Sequence, residues 1–437
     1  MKNAFRLILC STVFGLPFAV LAQTAPQGQV TPPAQTAPQA SPGQVADQKL
    51  REQEVGERKQ ESYTAQGVRF GGFNINPNFE LREKFTDNVY SSSGDRRSDF
   101  ITVINPWVYA KSDFSVHEVE VYGTAESHRY AEYKNESDEL YNIYARGKFD
   151  VYRDTWIAIK PMYDRAKEDR GSPDATNGVK PTRVYSRSLE LEGEYKPGAT
   201  WLRFDAGSKL MSFENSMLGN GTSVNNHDRD RREDKAGLRV GYEVVPGYFA
   251  FVEGRYNQRE YDQARDDGGF NRNSQGGEFR VGASIELTGK LKGDVFVGYM
   301  MQEYDDARFS KLQEPSAGIG LRWNVTPLTT VKTTLQRTVE ETTTGSVAGL
   351  LQDFIELGID HELLRNLVVG GSISLTRSEY RGTNREDDLV GAKLKALYRP
   401  NQNMQIGAEY TYNGRDSSRD TGEYLTNTLM AKVVLSY

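Results

Sequence analysis

The chain ends in Leu429-Met-Ala-Lys-Val-Val-Leu-Ser-Tyr437, and counting back from the terminal tyrosine every second residue is apolar: Tyr437, Leu435, Val433, Ala431, Leu429. A β-strand repeats its side-chain direction every two residues. One face of this segment is therefore greasy, while the other carries Lys432 and Ser436. The greasy face needs an apolar phase, either a packed core or lipid, and the rest of the chain decides between them.

The opposite end opens with Lys2 and Arg6, then an apolar run from Leu7 to Leu21 and a small-residue close at Val20-Leu21-Ala22. That order predicts a secretory signal peptide over residues 1–22, cleaved after Ala22. Cys10 is the sole cysteine and lies inside that leader. The mature chain is thus expected to have no disulfides, no thiol chemistry and no Cys-based zinc site, which suits passage through an oxidising periplasm. The net charge of −6 gives no reason to expect nucleic acid as a partner.

After Ala22 no stretch approaches the roughly 18 apolar residues of a spanning helix. A transmembrane barrel escapes that test, because only alternate residues face lipid and its lumen and loops are polar. The 24 tyrosines, 19 phenylalanines and 41 glycines favour strands over a helical bundle.

Residues 23 to about 45 are rich in Gln, Pro, Ala and Thr, as in Thr31-Pro-Pro-Ala-Gln-Thr-Ala-Pro38. Such a tract buries too little apolar surface to fold. Residues 46–60 could support a short charged helix, so 23–66 reads as a low-complexity periplasmic tether, disordered or transiently helical. From Gly67 to the end, alternating segments are separated by two kinds of connection. Tight turns are expected at Ser112-Asp113, Arg153-Asp154, Lys196-Pro197-Gly198, Pro246-Gly247, Thr288-Gly289, Thr326-Pro327, Leu364-Arg365 and Arg399-Pro400-Asn401. Long polar loops lie between them, among them 91–98, 166–181, 215–232, 261–274, 305–313, 381–385 and 414–422. Eight turns and nine loops in alternation predict eighteen strands, an even number as in bacterial outer-membrane barrels. A soluble sandwich of that size would need several domains, and no linker appears after Gly67. The fold expected is all-β: one up-and-down antiparallel transmembrane barrel over 67–437, in the bacterial outer membrane.

In such a barrel the inward residues decide function. Segment Glu278–Leu287 turns Phe279, Val281, Ala283, Ile285 and Leu287 outward, and Arg280, Gly282, Ser284 and Glu286 inward. Carried along the chain, this alternation nominates as pore-lining Arg146, Lys148, Arg203, Asp205, Arg239, Glu243, Glu253, Arg255, Arg280, Glu286, Arg322, Lys393, Lys395 and Glu409. Tyr195, Trp201, Tyr242, Tyr256, Trp323, Tyr398, Tyr412 and Tyr437 are expected in the interfacial aromatic girdles. No cofactor is expected, and none of His117, His128, His227 and His361 has a metal partner at helical spacing or a nucleophile motif. Glu190, Glu192 and Glu194 could suggest paired carboxylates for glycoside hydrolysis, but strand alternation accounts for them, so no enzyme is expected. The charged runs 228–234 and 262–267 could bind lipopolysaccharide or fold inward as a constriction.

The opening strand with its continuation, Asn74-Ile-Asn-Pro-Asn-Phe-Glu-Leu-Arg-Glu-Lys-Phe-Thr-Asp-Asn-Val-Tyr90, resembles the start of a family of outer-membrane β-barrel porins. With the strand count and the aromatic terminus, the resemblance covers about 67–437. It implies a channel passing exopolysaccharide or a similar polar polymer, since members of the family often accompany exopolysaccharide genes. It carries no catalytic motif. The alternative is a general or small-solute diffusion porin. Partners expected are outer-membrane lipid and lipopolysaccharide, the barrel-assembly machinery at the strand ending in Tyr437, and periplasmic polysaccharide-export components.

Overall fold

The computed structural model describes residues 54–437, apart from positions 59, 173, 177, 288–289, 341, 343–344, 346 and 419–421. The expected leader, most of the tether and the Thr288-Gly289 turn lie outside the described residues. Within them, eighteen long strands run antiparallel, each to its neighbour in sequence. They are β1 (Phe73–Thr86), β2 (Asp99–Ser112), β3 (Glu118–Tyr130), β4 (Asp138–Tyr152), β5 (Thr155–Lys167) and β6 (Arg183–Tyr195). Next come β7 (Thr200–Phe213), β8 (Arg231–Val245), β9 (Tyr248–Tyr261), β10 (Ser274–Leu287), β11 (Leu291–Tyr304) and β12 (Leu312–Thr326). The last six are β13 (Thr329–Glu340), β14 (Leu350–Leu364), β15 (Leu367–Tyr380), β16 (Glu386–Asn401), β17 (Met404–Ser417) and β18 (Tyr424–Ser436).

The cylinder closes where β18 pairs with β1, from Asn78 opposite Ser436 to Thr86 opposite Thr428. Closure leaves no unpaired edge, the condition for placing a sheet in lipid. A short strand, Val68–Phe70, folds back on the start of β1, and Ser216–Met217 with Ser223–Val224 makes a small ribbon in the β7–β8 loop.

Short connections gather at one end and long ones at the other. At Arg153-Asp154 and Pro246-Gly247 the second residue takes a positive φ, 57° at Asp154 and 81° at Gly247, which Asp and Gly adopt at low cost. Two turns differ from expectation by more than one residue. Strand β16 continues through Pro400 to Asn401, so the turn is Gln402-Asn403; the register is irregular between Tyr398 and Asn401, where a proline without an N–H is tolerated. The β2–β3 connection spans 113–117 rather than two residues.

The two faces differ as a lipid-embedded wall requires. Central outward residues are open, Val297 at 65% and Leu394 at 63%. Leu394 is flanked by inward Lys393 and Lys395, and Val297 by Gly298 and by Phe296, which lies beneath Arg280. A strand that buries apolar residues only against lipid shows this inversion of the soluble pattern.

Candidate functional site

Several of the nominated residues alternate with exposed apolar neighbours, which turns their side chains to the inner face. Arg239 and Glu243, for example, are interleaved with exposed Leu238, Val240, Tyr242 and Val244. The register then sorts them into groups.

On β7–β11 an arginine network surrounds one carboxylate. Glu253, 3% exposed, lies 3.0 Å from Arg239, 3.0 Å from Arg255 and 3.5 Å from Arg280. Each arginine has a further acid: Asp294 at 2.6 Å, Asp205 at 3.3 Å and Glu278 at 2.6 Å respectively. Arg203 meets Glu194 at 2.6 Å. The guanidiniums lie over Phe251 (Arg239, 4.1 Å) and Phe296 (Arg280, 4.3 Å). Their lumen side is a recess of about 610 Å³.

Trp201 belongs to this wall. It is 4% exposed and packs inward with Phe249 and Phe251, so its place in an interfacial girdle is corrected. The reason is register: Trp201 stands opposite Gly241, on the inward parity of Arg203 and Arg239. The missing side chain of Gly241 leaves room for the indole. The other proposed girdle residues point outward, Tyr242 at 57% and Tyr437 at 69% exposure among them.

On β2–β5 the inner wall carries aromatic rings that the pattern of charges does not single out. Tyr109, Tyr122 and Tyr144 stand directly opposite one another across β2, β3 and β4. The Tyr122 and Tyr144 rings stack at 5.2 Å, and Trp107 lies 6.2 Å from Tyr122. Lys160 covers Tyr144 at 4.9 Å, and Lys148 covers Trp156 at 5.4 Å. These rings are half-buried, leaving part of each facing the lumen. The nearby charges are paired: Arg146 with Glu192 at 2.7 Å, Lys148 with Asp150 at 3.2 Å, Lys111 with Glu118 at 2.6 Å. The alternation that reveals inward arginines could equally reveal these rings, but an aromatic in a barrel strand reads first as a girdle residue.

On β12–β17, Lys395 meets Asp360 at 2.7 Å and Lys393 approaches Glu409 at 3.7 Å. Here the wall also receives the start of the described chain. Val55, 1% exposed, donates its N–H to Thr330 Oγ1 at 3.1 Å. Arg58 and Glu362, each 7% exposed, pair at 2.7 Å. Glu54 is ion-paired with Lys332 and lies 3.8 Å from Arg322. Residues 54–58 and Gln60, within the stretch read as tether, therefore lie against the inner face at the short-turn end. Nothing local in their sequence predicts this, because the contacts join residues some 300 positions apart.

At the long-loop end, loop 168–182 extends from β5–β6 to distant strands. Arg170 pairs with buried Glu136 of the β3–β4 loop, Arg415 of β17 donates to the Gly171 carbonyl at 2.7 Å, and Thr342 donates to Asp174 at 2.5 Å. The loop thus bridges β17 on one side and the β13–β14 loop on the other. Arg272, buried in loop 262–273, donates to the carbonyls of Thr342, Val347 and Gly345. Runs 228–234 and 262–267 meet where the Asp267 N–H reaches Asp228 Oδ2 at 3.3 Å. Burial, with Asp267 and Asp266 nearby, raises the Asp228 pKa above the ordinary carboxylate value.

The histidines are engaged locally: His128 with Glu126 at 2.8 Å, His227 with Asp230 at 2.9 Å, His361 with Thr329 at 2.9 Å. Glu190, Glu192 and Glu194 each face a cation, Lys235, Arg146 and Arg203.

A closed eighteen-strand cylinder with a lipid-compatible exterior and a charged interior defines an outer-membrane channel. The chain belongs to the family described as "putative beta-barrel porin 2", whose sequence model matches residues 61–437. No curated protein matches it. Among solved structures it is similar to the Pseudomonas aeruginosa outer-membrane protein OpdK (11% identity, 83% of this chain and 99% of that one, TM-score 0.46). It is also similar to OccK2 (OpdF) of the same organism, solved with glucuronate (13% identity, 85% and 100%, TM-score 0.45). A third is the P. aeruginosa siderophore receptor PirA (9% identity, 83% and 80%, TM-score 0.43). At these values nothing about cargo passes from those proteins to this chain.

Proposed function

We propose that this outer-membrane barrel passes a hydroxyl-rich polysaccharide. The observation that carries the reading is the inner strip of Trp107, Tyr109, Tyr122, Tyr144 and Trp156, set among paired charges. Sugar rings present apolar C–H faces and polar edges, so ring faces beside ion-paired side chains suit them. Passage needs weak binding repeated over several sites rather than one deep trap, and a strip of half-open rings offers that. The family resemblance to porins that accompany exopolysaccharide genes supports the same cargo.

The test is deletion of the gene and then measurement of surface polysaccharide. Loss of surface polymer with retention in the periplasm is expected, and a normal surface coat overturns the reading. Planar-bilayer conductance separates it from a small-solute porin. Longer oligosaccharides should block the polymer channel progressively better, whereas block by monosaccharides alone favours the porin.

A further inference from the structure

Near the long-loop end of the lumen, under loop 168–182, lies a recess of about 290 Å³ lined from β1, β2, β3, β5, β17 and β18. That is the lower end of the size range of small-ligand sites. Lys84 and Lys167 both line it, with the hydroxyls of Thr86, Thr426 and Thr428. Most cations of the inner wall are held by carboxylates. Among the described residues, no carboxylate forms an ion pair with either of these lysines. Among the described residues, the hydrogen-bond partners of Lys167 are neutral: the Tyr130 hydroxyl at 3.3 Å and the Glu136 carbonyl at 3.4 Å.

The other charges lining the recess are largely committed. Glu136 is 2% exposed and paired with Arg170, and Glu168 is paired with Arg229 at 2.5 Å. His128 is engaged by Glu126. Asp169 remains, accepting the Gly171 N–H at 2.8 Å. Two free ammonium groups against one free carboxylate leave a single positive charge in a partly desolvated, hydroxyl-lined space. A monoanion matches that balance; a phosphate dianion would exceed it and would face Asp169.

The geometry points to a binding site for one acidic sugar residue, its carboxylate held by Lys84 and Lys167 and its hydroxyls by the threonines. This deepens the conduit reading and rests on it, making the cargo an acidic polysaccharide. The lysines are charge donors without the fork of a guanidinium, so each binds loosely enough to release a moving chain.

The test uses the full-length barrel in a planar bilayer, with D-glucuronate, D-glucose or inorganic phosphate added on the long-loop side. The wild type should be blocked by glucuronate at concentrations where glucose and phosphate leave the current unchanged. The double variant Lys84→Gln/Lys167→Gln should raise the half-blocking concentration about tenfold or more, the loss of about 1.4 kcal/mol of binding. Lys84→Arg/Lys167→Arg should retain block, as should Lys209→Gln, an inward lysine elsewhere on the wall. Heat-modifiable migration on gels establishes that each variant is folded. Equal block by glucose, equal block by phosphate, or full glucuronate block in the double Gln variant overturns the assignment. These failures differ from failure of the conduit reading, which a normal surface coat in the deletion strain would show even if glucuronate block persisted.

Discussion

Single side chains on the inner wall are held by what surrounds them more than by their own preferences. A Cβ on Gly241 would sit 2.3 Å from Trp201, so Gly241→Ala must displace the indole. Overpacking of this kind costs about 1–3 kcal/mol, and urea unfolding monitored by tryptophan fluorescence should show the loss. Asp228 offers a pH test. Its pKa is raised on folding by burial, so its contribution to stability is fully present below the ordinary carboxylate pKa of about 3.9 and is lost as pH rises through the raised folded value. Hydrogen exchange in loops 214–230 and 262–273, corrected for intrinsic rate, should therefore slow on acidification. Asp228→Asn should flatten that dependence; an unchanged slope would remove Asp228 from the account.

Elements are tied together by a few buried ion pairs, whose loss matters because the remaining partner has no water to turn to. Arg170→Ala leaves buried Glu136 without that partner, a loss of about 3–5 kcal/mol if the loops stay in place. Loop 168–182 is expected to come away from the β3–β4 loop instead, seen as larger and noisier single-channel conductance. At the other end, Arg58→Glu should release residues 54–58 from Glu362, and limited proteolysis should then cut that segment while the barrel stays resistant. Combining it with Glu362→Arg should restore protection; continued cutting in the double variant would show that the pair does not hold the segment.

For the whole molecule, the lipid-facing exterior is the property on which the rest depends. Val297 lies at the centre of β11 and is 65% exposed. Val297→Lys should cost about 2–4 kcal/mol in a bilayer, as a charge at the midplane does. The same change at an exposed position of a soluble sandwich would lie within about 0.5 kcal/mol of neutral, so the size of the effect tests the architecture.

Alternation along Glu278–Leu287 and Leu429–Tyr437 was enough to assign strands and faces, and the alternation of turns with loops to count them, because in a closed antiparallel barrel each strand obeys the same local two-residue rule. Inward charges such as Arg239, Glu253 and Arg280 were legible for that reason. Which of them share Glu253, that Trp201 turns inward opposite Gly241, that Arg58 meets Glu362 and that loop 168–182 bridges to Arg415 were not legible. Those contacts join residues brought side by side only when the sheet curls and closes, and no local period encodes how distant strands face each other across a lumen.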